Sequence, residues 1–216
     1  MRDGVADIAE WLAGDTRPLY HGDLMILEGL VTTATVDGRP HVAAMGPGVH
    51  EEEFVTGRIR SLVLRPFPTS QTAAHLLRTR TGVFHVCDDV LLLASVVAGG
   101  VGAPDVRPAE KVAGFVLAAA CRAFEFEVTA VDDSAERLWL EGSVVAAHDQ
   151  RPFTGFNRAA HAVVEAAILV TRLHLLDRDD VRRRFDDLAI LVEKTGGRRE
   201  HEAFEMLSRR AGLSQP

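Results

Sequence analysis

Cysteine and lysine are both scarce in this chain of 216 residues. Its two cysteines, Cys87 and Cys121, stand far apart among apolar neighbours, in no CxxC and no ligand-spaced group. That argues against a disulfide-stapled scaffold and against a structural zinc site. Two lysines, Lys111 and Lys194, leave almost no candidates for Schiff-base or P-loop chemistry. Long apolar runs are missing as well: the longest, Val90–Gly102, is too short to span a bilayer. The opening MRDGVADIAEW has acids where a secretory signal would have its apolar core, so a cytoplasmic location is expected. Basic charge is outweighed, with 24 Lys+Arg against 31 Asp+Glu and a net charge of −7. Nucleic acids and membrane surfaces both call for basic patches, so neither is expected as a partner.

What is present is a composition with 47% hydrophobic residues, enough for a globular core. The charge is uneven. Residues 151–216 hold 12 Arg/Lys and 10 Asp/Glu, a balance of +2, which leaves 12 and 21, or −9, for residues 1–150. The change of sign suggests two parts. Residues 4–13 read as a short amphipathic helix closed by Gly14 and the Arg17-Pro18 break. The stretch Leu24–Val36 is β-branched and apolar and ends at Asp37-Gly38, so 24–36 and 39–46 read as a hairpin. Gly46-Pro47-Gly48 closes it, and the acidic run His50–Glu53 reads as a solvated loop. Arg58–Pro66 is a third strand, QTAAHLLRT a short helix capped by Thr69 or Ser70, and TGVFHV a fourth strand. Asp88-Asp89 opens a second short helix, VLLLASVVAG, and Gly99–Pro108 reads as a loose surface connection. Cys121–Val131 alternates apolar with polar residues, and RLWLEGSVVAAH returns after the Asp132-Asp133-Ser134 turn. Strands joined by local turns point to a small antiparallel barrel.

The pattern changes at Arg151-Pro152. From Asn157 onward the strand signal gives way to helical stretches at 157–175, 178–194 and 198–211, with apolar residues such as Val163, Ala166, Phe185 and Ile190 at helical spacing. The expected organisation is a barrel over 1–150 and a helical extension over 151–216. The extension is too small for much core of its own and is expected to pack on the barrel or on a second subunit.

The most informative stretch for chemistry is LRPFPTSQTAAHL. A strand ends in Arg65, a Pro-bearing turn supplies Thr69, Ser70 and Thr72, and a helix begins. Helix-start amides, the helix dipole and the hydroxyls favour an anion, and Arg65 suits a phosphate. The alternative is that Ser70 only caps the helix while Arg65 sits in solvent. A second candidate is the hairpin, where Thr32-Thr33 lies beside Ala44-Met45-Gly46. Small side chains there leave room for a flat ligand, or for a tight strand crossing. The nine histidines form no HExxH or HxH pattern, and GxSxG and GxxxxGK[ST] are absent. His85 and Cys87 read as wall residues of a barrel rather than as metal ligands. On the first C-terminal helix Asn157, His161 and Glu165 share a face with Arg158 beside it. That stripe reads either as a solvated face or as the lining of a site.

Taken together, ILEGLVTTATVDGRPHVAAMGP, LVLRPFPTSQTAAHL, TGVFHVCDDVLLLA, CRAFEFEV and GFNRAAHAVVEAAILVTRL resemble DUF447, an uncharacterised bacterial and archaeal family of the FMN-binding split-barrel superfamily. The resemblance covers nearly the whole chain and implies a split antiparallel β-barrel with a helical C-terminal extension. It also implies a homodimer holding FMN at the subunit interface. Carried onto this sequence, it places the FMN phosphate at Thr69, Ser70, Gln71 and Thr72 with Arg65 near it. Thr32, Thr33, Ala44, Met45 and Gly46 would approach the isoalloxazine. The HEEEF segment and the Gly99–Pro108 connection depart from the pattern, so the substrate pocket does not carry over. The implied function is a flavoprotein passing electrons or hydride to a small molecule, with Arg158 and His161 as candidate substrate contacts and no metal. The alternatives are a protein that binds FMN or another phosphorylated ligand without turnover, and a structural dimer with an empty cleft.

Overall fold

The computed structural model describes residues 24–99, 102 and 104–213. The helix expected over 4–13, with the Arg17-Pro18 break, lies outside the described residues.

The hairpin forms at the expected turn. Gly38 takes a positive φ of 75° that Asp37-Gly38 turns need, and β2 (Gly29–Ala34) pairs with β3 (Pro40–Met45), Thr33 opposite His41 and Leu30 opposite Ala44. The stretch 24–36 is not one strand, however. It breaks at Leu27-Glu28, leaving β1 (Leu24–Ile26), and its mate breaks at Gly46-Pro47, leaving β4 (Gly48–His50). The Leu27 N–H still donates to the Pro47 carbonyl at 3.0 Å, so the two breaks lie opposite one another and the hairpin bends as a single ladder. Beyond the bend β4 pairs with β5 (Ser61–Leu64), whereas before it β2 pairs with β6 (Thr81–Val86). With β9 (Arg122–Asp132) and β10 (Trp139–Asp149), the eight-stranded order β1-β4-β5-β10-β9-β6-β2-β3 therefore begins and ends in the same hairpin. That curls the antiparallel sheet into a split barrel. β9 and β10 form its long middle, with register shifts near Gly142 and Val145 that bend it further. At Gly29 an added Cβ would lie 2.3 Å from the His85 carbonyl oxygen, so only glycine fits where β2 leaves the bend.

Leu62, Leu64, Phe84, Phe124, Phe126 and Leu140 fill the interior, each at most 1% exposed. Helix α2 (Gln71–Thr79) plugs one end with Ala73 and Leu76, both fully buried. The acidic run is a helix rather than a loop: α1 spans Glu51–Thr56. Its three first-turn glutamates suit the positive end of the helix dipole. Glu53 turns inward to accept the Arg60 and Ser61 N–H groups at 2.9 and 3.2 Å. The far end of the connection after α3 (Val90–Ala98) is not a loose chain. It forms β7 (Val106–Pro108), which pairs with β8 (Phe115–Leu117).

That hairpin lies on the outer face of the sheet and is held by three buried polar side chains. The Thr32 hydroxyl donates to the Phe115 carbonyl. His85 donates from Nδ1 to the Leu30 carbonyl at 3.2 Å and accepts the Leu117 N–H on Nε2 at 3.1 Å. Burial pushes its pKa down to about 4, which keeps the ring neutral as that pattern requires. Glu125, fully buried, accepts N–H groups of Glu110, Lys111 and Val112 at 2.7, 2.6 and 3.1 Å, and His148 Nε2 at 2.7 Å.

The C-terminal helices are α4 (Arg158–Thr171), α5 (Arg178–Thr195) and α6 (Arg198–Arg210). The first stops four residues short of its expected end, at a turn over 172–176. Ile190 points outward, half exposed, although its spacing suggested a core position. The helices do have a shared core, and α3 is one wall of it: Val90 and Ala94 cluster with Val163, Ala166, Phe185 and Leu207. The Asp88-Asp89 corner ties the parts together. Asp88 takes Arg151 and the Thr154 N–H, the latter at 3.0 Å. Asp89 caps α3 through the Leu92 N–H at 3.1 Å and pairs with Arg199 of α6 at 2.5 Å. Among the described residues, no helix is long and apolar enough to cross a membrane.

Burial pushes the Glu125 carboxyl up, but the three amides and His148 outweigh it, so its pKa falls below the ordinary value of 4.5. The folded state therefore favours the carboxylate. The stabilisation is complete above the unfolded pKa and fades as pH drops through the lowered folded one. Glu125→Gln is expected to lose about 1.5–3 kcal/mol in urea unfolding at pH 7. The difference from wild type should narrow on acidification, and equal stability at pH 7 would show that the clamp contributes nothing.

Candidate functional site

The mouth of the barrel between α2 and the bent hairpin collects most of the residues that the sequence singles out. After β5, Arg65-Pro66-Phe67-Pro68 carries the chain across the rim. The Ser70 N–H donates to the Phe67 carbonyl at 3.0 Å, and Ser70 Oγ accepts the Ala73 N–H at 3.1 Å, so Ser70 is the N-cap of α2. Thr69 and Gln71 are exposed, while Thr72 is 4% exposed. Among the described residues nothing accepts from the Gln71 and Thr72 amides, the first two N–H groups of the helix. The capping role and the anion role of this turn are thus compatible: Ser70 uses an oxygen lone pair as cap and keeps its hydroxyl hydrogen.

Arg65 lies at the rim, half-buried, with its guanidinium 5.7 Å from the centre of the Trp139 ring. Arg137 lies 4.1 Å over Phe67 nearby. Burial lowers the pKa of Arg65, and the neighbouring Arg137 charge lowers it further. Two guanidinium groups therefore lie near one another along this turn.

The hairpin residues divide between two faces, because successive side chains alternate. Thr33 points toward α2, where its Oγ1 bonds His75 Nδ1 at 2.9 Å. Met45 is on the same side and packs against the barrel core. Thr32 points the other way, to Phe115. Ala44, paired across from Leu30, is exposed on that outer side. Gly46 sits at the bend, where an added Cβ would lie 2.6 Å from Ile26 Cγ2 and 3.0 Å from a Glu28 carboxylate oxygen.

Two further residues belong to this mouth, and the sequence reading passed over both. His41 Nε2 lies 3.3 Å from Thr72 Oγ1, and its ring meets that of His75 edge-on at 5.1 Å between centroids. Burial lowers both histidine pKa values, helped at His41 by His75 and at His75 by Arg78. The signal was available in the register: an Asp37-Gly38 turn sets His41 opposite Thr33.

The polar stripe on α4 resolves into separate roles. Asn157 caps the helix, accepting the Ala159 and Ala160 N–H groups at 2.8 and 3.1 Å. Arg158 and His161 are exposed, His161 lying 5.8 Å from the ring of Phe156. At the bend, burial raises the pKa of Glu28, the charge of Glu165 on α4 adds to the rise, and that of Arg172, just past the helix end, opposes it. Burial pushes the Cys87 thiol up to about 11, which disfavours its thiolate. Among the described residues no three His, Cys, Asp or Glu side chains gather as a metal site needs.

Two family models match the chain. The one described as "Protein of unknown function (DUF447) N-terminal domain" covers residues 27–150, and its C-terminal counterpart covers 157–209. The chain belongs to the DUF447 family. Its fold is similar to that of the FMN-bound DUF447 protein MM1853 from Methanosarcina mazei, with a TM-score of 0.74 at 20% identity, covering 86% of this chain and 94% of that one. Looser likenesses are to an FMN-binding protein from Thermus thermophilus with bound 1-cyclohex-2-enone (TM-score 0.47, 14% identity, 62% and 75% covered). The flavin reductase of styrene monooxygenase from Pseudomonas putida S12 is comparable (0.47, 12%, 58% and 80%). No curated protein matches the sequence. At these identities the likeness speaks for the DUF447 fold, a split barrel with C-terminal helices, and not for individual site residues.

Replacing Ser70 by alanine removes the cap of α2 and is expected to cost about 1 kcal/mol of stability in chemical unfolding. A variant as stable as wild type would mean that the Ala73 amide has another acceptor.

Proposed function

We propose that this DUF447 protein binds FMN at the barrel mouth and uses it to pass electrons or hydride to a small molecule. The observation that supports this reading most is the start of α2, where two unclaimed amides and the Ser70 hydroxyl sit on a turn that follows Arg65 in the chain. A phosphate monoester dianion matches that set of donors. The phosphate would be held by Thr69, Ser70, Gln71 and Thr72, with Arg65 close by. The isoalloxazine would lie along the hairpin toward the bend, near Thr33, Met45 and Gly46, with Thr32 and Ala44 behind the strand. A fold shared with an FMN-bound family member supports the choice of ligand. FMN supplies the redox chemistry when bound, and the chain binds and orients it and shapes access for the substrate. β3 is an edge strand of the sheet. A second copy of the chain in a cytoplasmic homodimer would cover this region and complete the cofactor site. Arg158 and His161, both exposed, are the proposed substrate contacts.

Purified protein mixed with FMN and desalted should keep flavin absorbance at a ratio near one per chain. No retention, and no binding in a titration, would remove the flavoprotein reading. The double variant Ser70→Ala/Thr72→Ala should bind FMN more weakly by about 1–3 kcal/mol, the range for hydrogen bonds to a charged group. Unchanged affinity in the folded double variant would remove the phosphate assignment. Oxidation of NADH or NADPH by the loaded protein would mark an oxidoreductase, whereas tight FMN binding with every reductant inert would favour a protein that only binds the flavin.

A further inference from the structure

A line of four polar side chains crosses the seam between α2 and the hairpin: Thr33, His75, His41 and Thr72. Around it the seam is apolar, with Val31, Ala73 and Leu76 fully buried. Docking a helix needs only such apolar contacts. Four polar groups there cost desolvation, so their arrangement calls for a reason beyond packing.

The reason lies in proton inventory. A neutral imidazole carries one N–H and one bare nitrogen, and a hydroxyl carries one hydrogen and accepts on oxygen. Burial lowers the pKa of both rings, with His75 adding to the fall at His41 and Arg78 at His75, which favours the neutral imidazoles. Thr33, fully buried, fixes His75 through Nδ1, and His75 meets the His41 ring edge-on. His41 Nε2 in turn faces the oxygen of Thr72, second residue of α2 and neighbour of the unclaimed amides. Two proton arrangements are open. With a bare Nε2, His41 takes the Thr72 hydrogen, and Thr72 then offers an anion only lone pairs. With a protonated Nε2, His41 donates to Thr72 and frees the Thr72 hydrogen for an acceptor.

We propose that His41 is a positioning residue for a phosphate monoester bound at the Thr69–Thr72 turn: its Nε2–H occupies the Thr72 oxygen so that the Thr72 hydroxyl donates to the phosphate. His75, anchored by Thr33, keeps the His41 ring in place. The inference rests on the phosphate reading given above and extends it to a residue of β3 that does not touch the ligand.

The test compares FMN with riboflavin, which lacks the phosphate, on the full-length protein. Wild type should hold FMN more tightly than riboflavin. His41→Leu and Thr72→Val should each weaken FMN about tenfold, the size of one hydrogen bond to a charged group, and leave riboflavin unchanged. The double variant should lose little more than the worse single one, since His41 acts only through the Thr72 hydroxyl. His41→Gln, whose amide N–H can stand in for Nε2–H, should restore part of the loss. Wild type binding both flavins alike, or neither, would remove the phosphate reading and this inference with it. Wild type preferring FMN while His41→Leu and Thr72→Val keep the full preference would leave that reading intact and overturn the role of His41. A readout free of any variant is the ring ¹⁵N spectrum of His41: FMN-loaded protein should show the Nε2–H form, and an Nδ1–H ring would overturn the proposal.

Discussion

One bend sets the architecture. The chain from Leu24 to His50 is a single hairpin in sequence, yet its inner half is the last pair of strands in the sheet and its outer half the first. Both halves can be satisfied only if the sheet curls until its two ends meet. The Leu27–Pro47 hydrogen bond keeps the ladder intact through the turn of direction. Gly29 and Gly46, at the two sides of the bend, stand where a Cβ would strike the His85 carbonyl or the Ile26 and Glu28 side chains. The curl encloses the phenylalanine and leucine core, and α2 closes its end. At that end the turn from Arg65 leads into α2, whose His75 meets the face of the hairpin bearing Thr33.

Buried polar groups do most of the positioning around that frame. Glu125, His85 and Thr32 clamp the β7–β8 hairpin to the outside of the sheet, while Thr33 and the two histidines fix α2 to the inside. Neighbouring residues of β2 thus serve opposite layers: Thr32 outward, Thr33 inward. A buried carboxylate or imidazole is costly alone, but Glu125 has four partners and His85 two, which makes the placement of the attached segment specific. The Asp88-Asp89 corner does the same between barrel and helices, fixing the linker through Arg151 and the last helix through Arg199.

Much of this was legible in the amino-acid order. The Asp37-Gly38 turn, the two strands on either side of Asp132-Asp133-Ser134, a cap at Thr69 or Ser70, a helix start at Asp88-Asp89 and the three C-terminal helices all follow from local turn, alternation and capping rules. The HEEEF segment was misread because three acids in a row look like solvent-facing charge. Their worth at a helix N-terminus, and the inward turn of Glu53 onto Arg60 and Ser61, depend on a strand that follows later. β7 was hidden for a similar reason, since a three-residue strand has no periodicity of its own and exists only because β8 and Glu125 receive it. The helical extension looked too small for a core because α3, which supplies one wall, lies some sixty residues earlier in the chain.

For the candidate site the division is equally physical. Local order determined which residues could bind an anion, because a strand, a proline-bearing turn, hydroxyls and a helix start are neighbours along the chain. It also determined that Thr33 and His41 face one another, through the length of one turn. Tertiary structure alone decided that His41 meets both His75 and Thr72, that Arg65 lies near Arg137, and that the charges of Glu165 and Arg172 act on Glu28 at the bend. Those meetings depend on the curl of the sheet and the packing of a helix into its end. Curl and packing are set by long-range burial of apolar surface, which no short stretch of sequence encodes.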